Sequence, residues 1–537
     1  VENAGNAGGF VNLPDASIRL AQPTWRPVAW RVAEFALVAL IAAWVLLANL
    51  GGYPLFDVDE GAFAEASREM VATGAYAFPT LDGAPRYDKP ILIYWLQAAA
   101  IVSIGPSEWA VRLPSALAAL AWVLATWHFA RHRFGRDTAL VAALMLATAL
   151  GPWAIGRAAT ADALLNLWLA LTAFDLWRHF EAHRRLPLIR AYVWMALGVL
   201  TKGPVAILIP GAAALLYCWS RGAWRRPWQL LSEPVGWLLF AAIVLPWYGY
   251  ALAQEGMGFI EGFFLKHNLQ RFADSRDGHS GPWWYYLAAL PLLFAPWSLL
   301  LPRALAKLRM DWRVALRRYL WGWFAFVLLF FSLAQTKLPH YLIYGMTPLV
   351  LLAAAHLRAA SPRWWASVPL FAALVLVGAA ALPPLVALMS HGSTFSAFHQ
   401  AIASGALAAW HADDWVSAAA ALLLIATAWW GKRTYSLPIA AALSAALLAH
   451  WAAFRLLPWA GEVFQQPIVA AALASREATV VNIGLRAPSF SFYRQGITQK
   501  RPPQPGEWFV TRIDRLPDFP YTVRFQSRGV VIGERLP

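Results

Sequence analysis

Residues 82–105 read DGAPRYDKPILIYWLQAAAIVSIG. Arg86, Asp88 and Lys89 stand directly ahead of Pro90 and an apolar run, 91–105. As a helix that run covers roughly 22 Å, short of the ~30 Å hydrocarbon core of a bilayer. Whether it crosses decides on which side every later loop lies, and therefore which polar groups can meet.

The rest of the chain makes a membrane the relevant solvent. Of 537 residues, 59% are hydrophobic and 14% charged, whereas soluble domains carry about 25% charged residues. Mean hydropathy is +0.48. Apolar runs of roughly 20 residues recur through most of the length, the pattern of a transmembrane helix bundle. The 31 Trp and 16 Tyr suit rings at both interfaces. A soluble protein with a large core is excluded by this repetition. The net charge of +15 sits largely in short loops, where orientation accounts for it, so it does not imply nucleic acid. Cys218 is the single cysteine, which rules out a disulfide framework or a cysteine metal cluster. Residues 1–24 are polar and lack signal-peptide form; they read as a flexible leader.

The clear spans are 28–50, 108–130, 138–154, 161–177, 188–200, 203–219, 236–252, 283–301, 316–334, 341–357, 364–388, 414–430 and 435–453. Positive clusters follow particular spans: RHRFGR at 131–136, RHFEAHRR at 178–185, RGAWRR at 221–226, the stretch 303–318, LRAASPR at 357–363 and GKR at 431–433. Assigned to the cytoplasm, they alternate consistently if 91–105 is interfacial or re-entrant. If 91–105 crossed, RHRFGR would fall outside. A short true span offset by a wrongly divided one elsewhere would restore the same parity. The expectation is an all-α polytopic membrane protein of about 13 spans, with the N-terminus inside. A membrane domain runs over 25–454, and its long outer loop, 51–107, carries interfacial helices.

The tail, 455–537, differs in texture. ATVVNIG, SFSFYRQ, EWFVTRI and YTVRFQSRGVVIG are β-like runs separated by turns such as KRPPQPGE. They predict a small outer domain, mixed α/β or all-β. Ten Lys/Arg against six Asp/Glu over 461–537 leave it +4, a bias that suits an anionic lipid or merely a solubilising surface.

Several polar groups gather on the same outer face. LFDVDEGAFAEASREMVATG predicts an amphipathic helix along the interface, opened by Asp59 and Glu60. Capping accounts for one carboxylate there, but Asp57, Asp59 and Glu60 together exceed a cap. Asp162 opens a span and can cap it, while Arg157 reads as an ordinary interface arginine. Lys202 lies alone between two apolar runs in LGVLTKGPVAILI; it either snorkels or meets an anion such as phosphate. FFLKHNLQRF puts His267 and Arg271 on one helical face, a metal-ligating imidazole beside a phosphate-gripping guanidinium. QTKLPHYLIY adds Lys337, His340, Tyr341 and Tyr344, and Arg86 reads as a surface anchor. Four outer junctions thus supply Lys89, Lys202, Arg271 and Lys337, facing carboxylates. The set suits a cavity for an anionic lipid-linked substrate. A lipid or solute transporter is the other class, but it predicts charges deeper in the spans and paired repeats; neither is visible.

The motifs PLFDVDEGAFAEASREM, GAPRYDKPILIYW, RAATAD, LTKGP and TKLPHY, in that order and spacing, resemble the bacterial aminoarabinose transferases of lipid A. These belong to the membrane glycosyltransferases of the GT-C fold, related to the protein O-mannosyltransferases. The resemblance covers roughly 28–453 well and the tail more loosely. It implies an inner-membrane enzyme whose site and C-terminal domain are periplasmic. Its sugar donor is carried on undecaprenyl phosphate, 4-amino-4-deoxy-L-arabinose being the best-known cargo, and its acceptor is a lipid A phosphate. A divergent member would serve a hydroxyl of another glycolipid, polysaccharide or protein. No nucleotide is implied and a monomer is expected.

By the same resemblance Asp59 and Asp162 are the functional acids. Lys89, Lys202, Arg271 and Tyr341 contact the donor phosphate, with Glu60, Lys337 and His340 as further cavity groups. Asp88 and His267 hold a divalent metal, zinc in some members, although Asp88 stands where a longer glutamate is usual. Direct displacement with inversion is expected, since no second carboxylate serves clearly as nucleophile.

Overall fold

The computed structural model describes residues 28–223, 225–263, 280–357, 362–392, 394–430 and 437–537. Every apolar run read from the sequence is helical within them. In chain order α1 spans Val28–Leu47, α2 Asp59–Thr73, α3 Leu92–Ile104, α4 Glu108–Arg133, α5 Arg136–Thr148, α6 Leu150–Arg157, α7 Asp162–Ala182, α8 Arg185–Lys202 and α9 Val205–Ser220.

Five helices among the described residues are long and apolar enough to cross a membrane: α4, Pro234–Glu255, Ala315–Leu333, Trp364–His391 and Leu437–Phe464. Two bent pairs raise this to seven, so length and apolarity do not return the expected thirteen crossings. The shortfall has visible causes. α7 carries Asp162, Asp175 and Arg178, α9 has 16 residues, and Met346–Leu357 has 12.

Two runs expected to be straight are broken. Residues 138–154 divide into α5 and α6, which meet at 59°, and 283–301 folds back on itself at 117°. The two breaks face each other: the Leu150 amide donates to the Ala295 carbonyl at 2.9 Å. Each break thereby satisfies a backbone group that a continuous helix would have bonded internally.

α3 behaves as its length demands. Its 13 residues cover about 20 Å. Ile93, Tyr94, Gln97, Ala98 and Ile101 are buried, while Trp95, Leu96, Val102 and Ile104 are exposed. α2 does not: instead of lying open along an interface, it buries every residue from Glu60 to Met70. Its polar groups are matched internally. Glu65 binds Arg68, Ser67 donates to Gln97 at 2.8 Å, and Glu69 accepts from Thr80 and the Asp82 amide, both at 2.6 Å.

The cover over α2 is the tail. β3 (Val480–Asn482), β4 (Trp508–Arg512), β5 (Tyr521–Ser527) and β6 (Val530–Arg535), numbered after the ribbon β1 (Thr80–Leu81) and β2 (Ala84–Pro85), form one sheet of order β3-β4-β6-β5. Only β3–β4 is parallel, and their crossover carries the short helix Ser489–Arg494. With Gln466–Ala474 packed on the sheet, the tail is α/β rather than all-β. Phe492 from the crossover enters a core shared with Leu55, Ala64, Ile101, Ala110, Val111 and Ala159. The helical run Leu437–Phe464 passes continuously into this region.

The two ends of the bundle differ in charge chemistry. At one end the basic clusters 131–136 and 178–185 are fixed by buried acids, Glu34 to Arg131 at 2.6 Å and Asp175 to Arg178 at 2.8 Å. At the other, a buried pair ties the start of the first loop to α4. Glu60 takes two bonds from Arg112 at 2.9 and 2.8 Å, and the amides of Phe56 and Ala159 at 2.8 and 2.7 Å. Arg112 also donates to the carbonyls of Leu50, Tyr53 and Pro54 and stacks over the Tyr53 ring at 4.0 Å. Glu60 is thus structural and does not line the cavity described below. Arg157 is likewise not an interface residue: it is buried and donates to the Val45 and Leu46 carbonyls.

Removing one partner of such a pair strands the other without compensation, at a cost of roughly 3–5 kcal/mol. Arg112→Met is therefore expected to lower the apparent thermal unfolding midpoint in detergent markedly, with Arg112→Lys intermediate because a lysine lacks the planar fork. An unchanged midpoint would show that the pair does not hold the loop.

Candidate active site

At the end organised by Arg112 and Glu60 lies a cavity of about 590 Å³. Its wall draws on α2, the segment 86–89, the start of α7, the end of α8, residues 338–341 and the C-terminal region. Of the groups singled out in the sequence, Asp59, Asp88, Lys89, Asp162, Lys202, His340 and Tyr341 all line it.

Helix ends place the central pair. Asp162 is the first residue of α7 and Lys202 the last of α8. A carboxylate at an N-terminus and an ammonium at a C-terminus each complement the helix dipole. The chain leaves α8 through Gly203, whose φ of +83° suits glycine and whose missing Cβ leaves room for Phe263 at 2.7 Å. Lys202 Nζ then meets Asp162 Oδ1 at 2.6 Å and donates to the Tyr344 hydroxyl at 2.7 Å. Tyr344 lies 2.8 Å from the same carboxylate oxygen, and His340 Nε2 is 4.0 Å away. Lys202 also stands over the Tyr341 ring at 5.9 Å. Asp162 is therefore engaged, and its first effect is to hold an ammonium in the cavity.

The acidic run at 57–60 divides three ways: Asp57 lies in the turn ahead of α2, and Asp59 and Glu60, its first two residues, point about 100° apart. Glu60 turns inward to Arg112. Asp57 reaches the C-terminal region, accepting from the Ser489 amide at 3.0 Å and from its hydroxyl. Asp59 faces the cavity, exposed, and makes no hydrogen bond or ion pair among the described residues.

Arg86 corrects the sequence reading most clearly. Far from a surface anchor, its side chain is buried, donates to the Tyr94 hydroxyl at 2.9 Å and pairs with Asp88 at 3.1 Å. Lys89 bends back to the Asp88 carbonyl at 3.0 Å. Lys337 is not in the cavity wall: it is buried and its ammonium meets the carbonyls of Phe331, Ser332 and Ala334. It closes the C-terminus of helix Ala315–Leu333.

His267 and Arg271 lie outside the described residues. A metal between Asp88 and His267 has only one described ligand, and Asp88 already meets a guanidinium. A separate buried cluster, Glu65, Glu69 and Asp82, brings three carboxylate oxygens within 4.8 Å of one another. It could hold a cation, in competition with Arg68 on Glu65 at 2.7 Å and Ser491 on Asp82 at 2.7 Å.

The sequence reading also missed the far wall. Asn482, Leu485, Arg486, Ala487, Pro488 and Lys500 of the C-terminal region complete the cavity. Contacts that dock this region on the first loop and on the start of α4 include Ser489 on Asp57, Ser491 on Asp82, Tyr493 on Glu108 at 2.9 Å, and the Leu55 amide on the Tyr493 hydroxyl at 2.7 Å.

Residues 88–250 match the family described as dolichyl-phosphate-mannose-protein mannosyltransferase. The chain is 31% identical over 337 residues to the undecaprenyl phosphate-alpha-4-amino-4-deoxy-L-arabinose arabinosyl transferase of Edwardsiella ictaluri, 61% of this chain and 60% of that one. It is 34% identical over 342 residues to arabinosyl transferase 1 of the same description from Pseudomonas fluorescens, 61% and 58% of the two chains. The matched region thus spans about three fifths of the length of these relatives. Its fold is that of the crystal structure of ArnT from Cupriavidus metallidurans bound to undecaprenyl phosphate, with TM-score 0.77 and 23% identity over 94% of this chain and 98% of that one. The family resemblance read from the motifs is borne out by these similarities.

Enclosure by protein outweighs the two Ser489 bonds and raises the Asp57 carboxyl from 3.8 to about 7. The folded protein therefore retains a proton there that an unfolded chain would release. The stabilisation is complete below the unfolded value and is lost as pH rises through about 7. Amide protection over 485–494, corrected for intrinsic exchange, is expected to fall between about pH 4 and pH 7, to level off above that, and to become flat throughout in Asp57→Asn. Identical pH profiles in both proteins would remove Asp57 from this contact.

Proposed function

We propose that this chain is a glycosyltransferase that moves 4-amino-4-deoxy-L-arabinose from undecaprenyl phosphate to a lipid A phosphate, at the periplasmic face of the bacterial inner membrane. The observation that carries the reading is one cavity lined by Asp59, which makes no hydrogen bond or ion pair among the described residues, by the Asp162–Lys202 pair, and by Lys89 and Tyr341. The similarity to arabinosyl transferases supplies the sugar and the lipid carrier.

In this reading the donor phosphate enters beside Lys202 and Lys89. An oxygen of the acceptor phosphate attacks the anomeric carbon, and the bond from that carbon to the polyprenyl phosphate oxygen breaks. The electron pair leaves with undecaprenyl phosphate, whose growing charge the two ammonium groups stabilise. Asp162 holds Lys202 in place and acts as a positioning residue. The acceptor phosphate is already ionised, so proton removal is not required at the attacking atom. Asp59 instead orients the reactants, pairing with the amino group of the sugar. Attack opposite the leaving group inverts the anomeric centre. No step is assigned to a metal.

Purified protein given undecaprenyl-phosphate aminoarabinose and lipid A is expected to form the modified lipid. Asp59→Asn is expected to remain folded and still bind undecaprenyl phosphate, yet to turn over roughly a hundredfold more slowly or worse. Near-normal turnover by that variant would contradict the role given to Asp59.

A further inference from the structure

The transfer just described needs two phosphate-bearing lipids in one cavity, and like charges so close must be neutralised separately. Lys202 and Lys89 account for one of them. Lys202 closes α8 beside Asp162 of α7 and the Tyr341 ring, and Lys89 lies in the loop 86–89 of the same cavity. The opposite wall carries its own cations, Arg486 and Lys500, both from the C-terminal region.

Arg486 is the more telling of the two. Its neighbours Leu485, Ala487 and Pro488 are buried, so its backbone is fixed while its side chain is exposed. The Asn482 side chain fixes the turn that precedes it, accepting from the Gly484 and Leu485 amides at 3.1 and 2.9 Å and donating to the Leu485 carbonyl at 2.8 Å. Just beyond, Ser489 is tied to Asp57. Yet the Arg486 guanidinium makes no ion pair or hydrogen bond among the described residues. Other arginines of the same region are engaged: Arg501 with Glu507, Arg512 with Asp514 and Arg524 with Glu534. Lys500 makes only a loose contact with Asp82, at 3.5 Å.

Arg486 also stands where two spaces join. A second cavity of about 240 Å³ shares Val58, Leu485, Arg486 and Ala487 with the first. The second space is lined by Phe398, Ile402, Phe464 and Ile468 on one part and by Asp57, His399, Gln465 and Arg512 on another, a mixed surface suited to the sugar face of a glycolipid. A guanidinium on a rigid turn at that junction matches a phosphomonoester whose lipid body lies to one side and whose oxygen points into the larger cavity.

We infer that Arg486, assisted by Lys500, is the recognition site for the acceptor's phosphomonoester, on the wall opposite the donor phosphate. The inference rests on the transferase reading and gives it a second half: the helical bundle holds the donor, and the C-terminal region selects an acceptor that carries phosphate. A hydroxyl acceptor would have no use for this wall.

The test uses the full-length protein in detergent micelles and two readouts. In transfer assays Arg486→Glu is expected to raise the KM for lipid A roughly tenfold to a hundredfold while leaving the KM for the sugar donor within about twofold. Arg486→Lys is expected to recover most of the loss. An unchanged acceptor KM would overturn the inference, and a raised donor KM would reassign Arg486 to the donor site and overturn it as well. Direct binding of lipid A and of its dephosphorylated form is measured in parallel. The wild-type protein is expected to favour the phosphorylated form roughly tenfold and Arg486→Glu to lose that preference. This second readout stands even if the wild type transfers no aminoarabinose, an outcome that would count against the transferase reading alone. Equal binding of both lipids by the wild type would overturn the inference. Because the side chain is exposed, Arg486→Gln serves as a neutral control for folding, with the same direction of effect.

Discussion

A bidentate pair between Glu60 and Arg112 holds together everything the cavity requires. Each partner is buried, and each spends its remaining hydrogen-bonding capacity on backbone that would otherwise be unsatisfied. Arg112 closes the carbonyls of 50–54, and Glu60 closes the amides of Phe56 and Ala159. A buried ion pair is weak evidence for stability in itself. Here its effect is positional. It fixes where α2 begins, and hence that Asp59 points into the cavity. It also fixes the turn before α7, and hence where Asp162 receives Lys202.

That constraint explains how a mostly apolar chain sustains a polar chamber. The charges sit at helix ends and in loops, where the dipole favours them and backbone groups remain available. Tyr344 and Tyr341 flank Lys202 with rings as well as a hydroxyl, replacing part of its hydration. The C-terminal sheet then shuts one side. Phe492 joins the core beneath α2, while Ser489, Ser491 and Tyr493 bond to residues of the first loop and α4. The chamber is therefore shared between the helical region, from α2 to Tyr341, and the C-terminal region from Asn482 onward, and neither part encloses it alone.

What could be read from sequence follows physical range. Helix positions were legible because apolar runs of bilayer length rarely form anything but helices, and the shortness of α3 was legible from its apolar run. The gathering of Asp59, Lys89, Asp162, Lys202, His340 and Tyr341 followed from loop charge, which put their junctions on one side. The breaks near Ala149 and Pro296 were not legible, since they answer to each other through a contact between distant segments. Arg86, Arg112 and Arg157 were misread or missed for the same reason. A charged residue beside an apolar run looks like an anchor until its partner is known, and these partners are carbonyls, a tyrosine and acids set by tertiary folding. The burial of α2 was hidden likewise: its amphipathic pattern fits a lipid surface as well as a covering sheet. Arg486 carried no local signal, because an arginine between apolar residues of a basic tail is ordinary until the cavity beneath it is seen.

The central claim is that this polar chamber joins a polyprenyl-phosphate-borne aminoarabinose to a phosphate of lipid A. Mass spectrometry of lipid A from cells with and without the protein tests it most directly. The account predicts that the protein adds to lipid A the mass of one or more aminoarabinose units, and that fragmentation places each on a phosphate. Unaltered lipid A in cells that make both the protein and the donor lipid, or an added mass on a sugar hydroxyl instead, would contradict it.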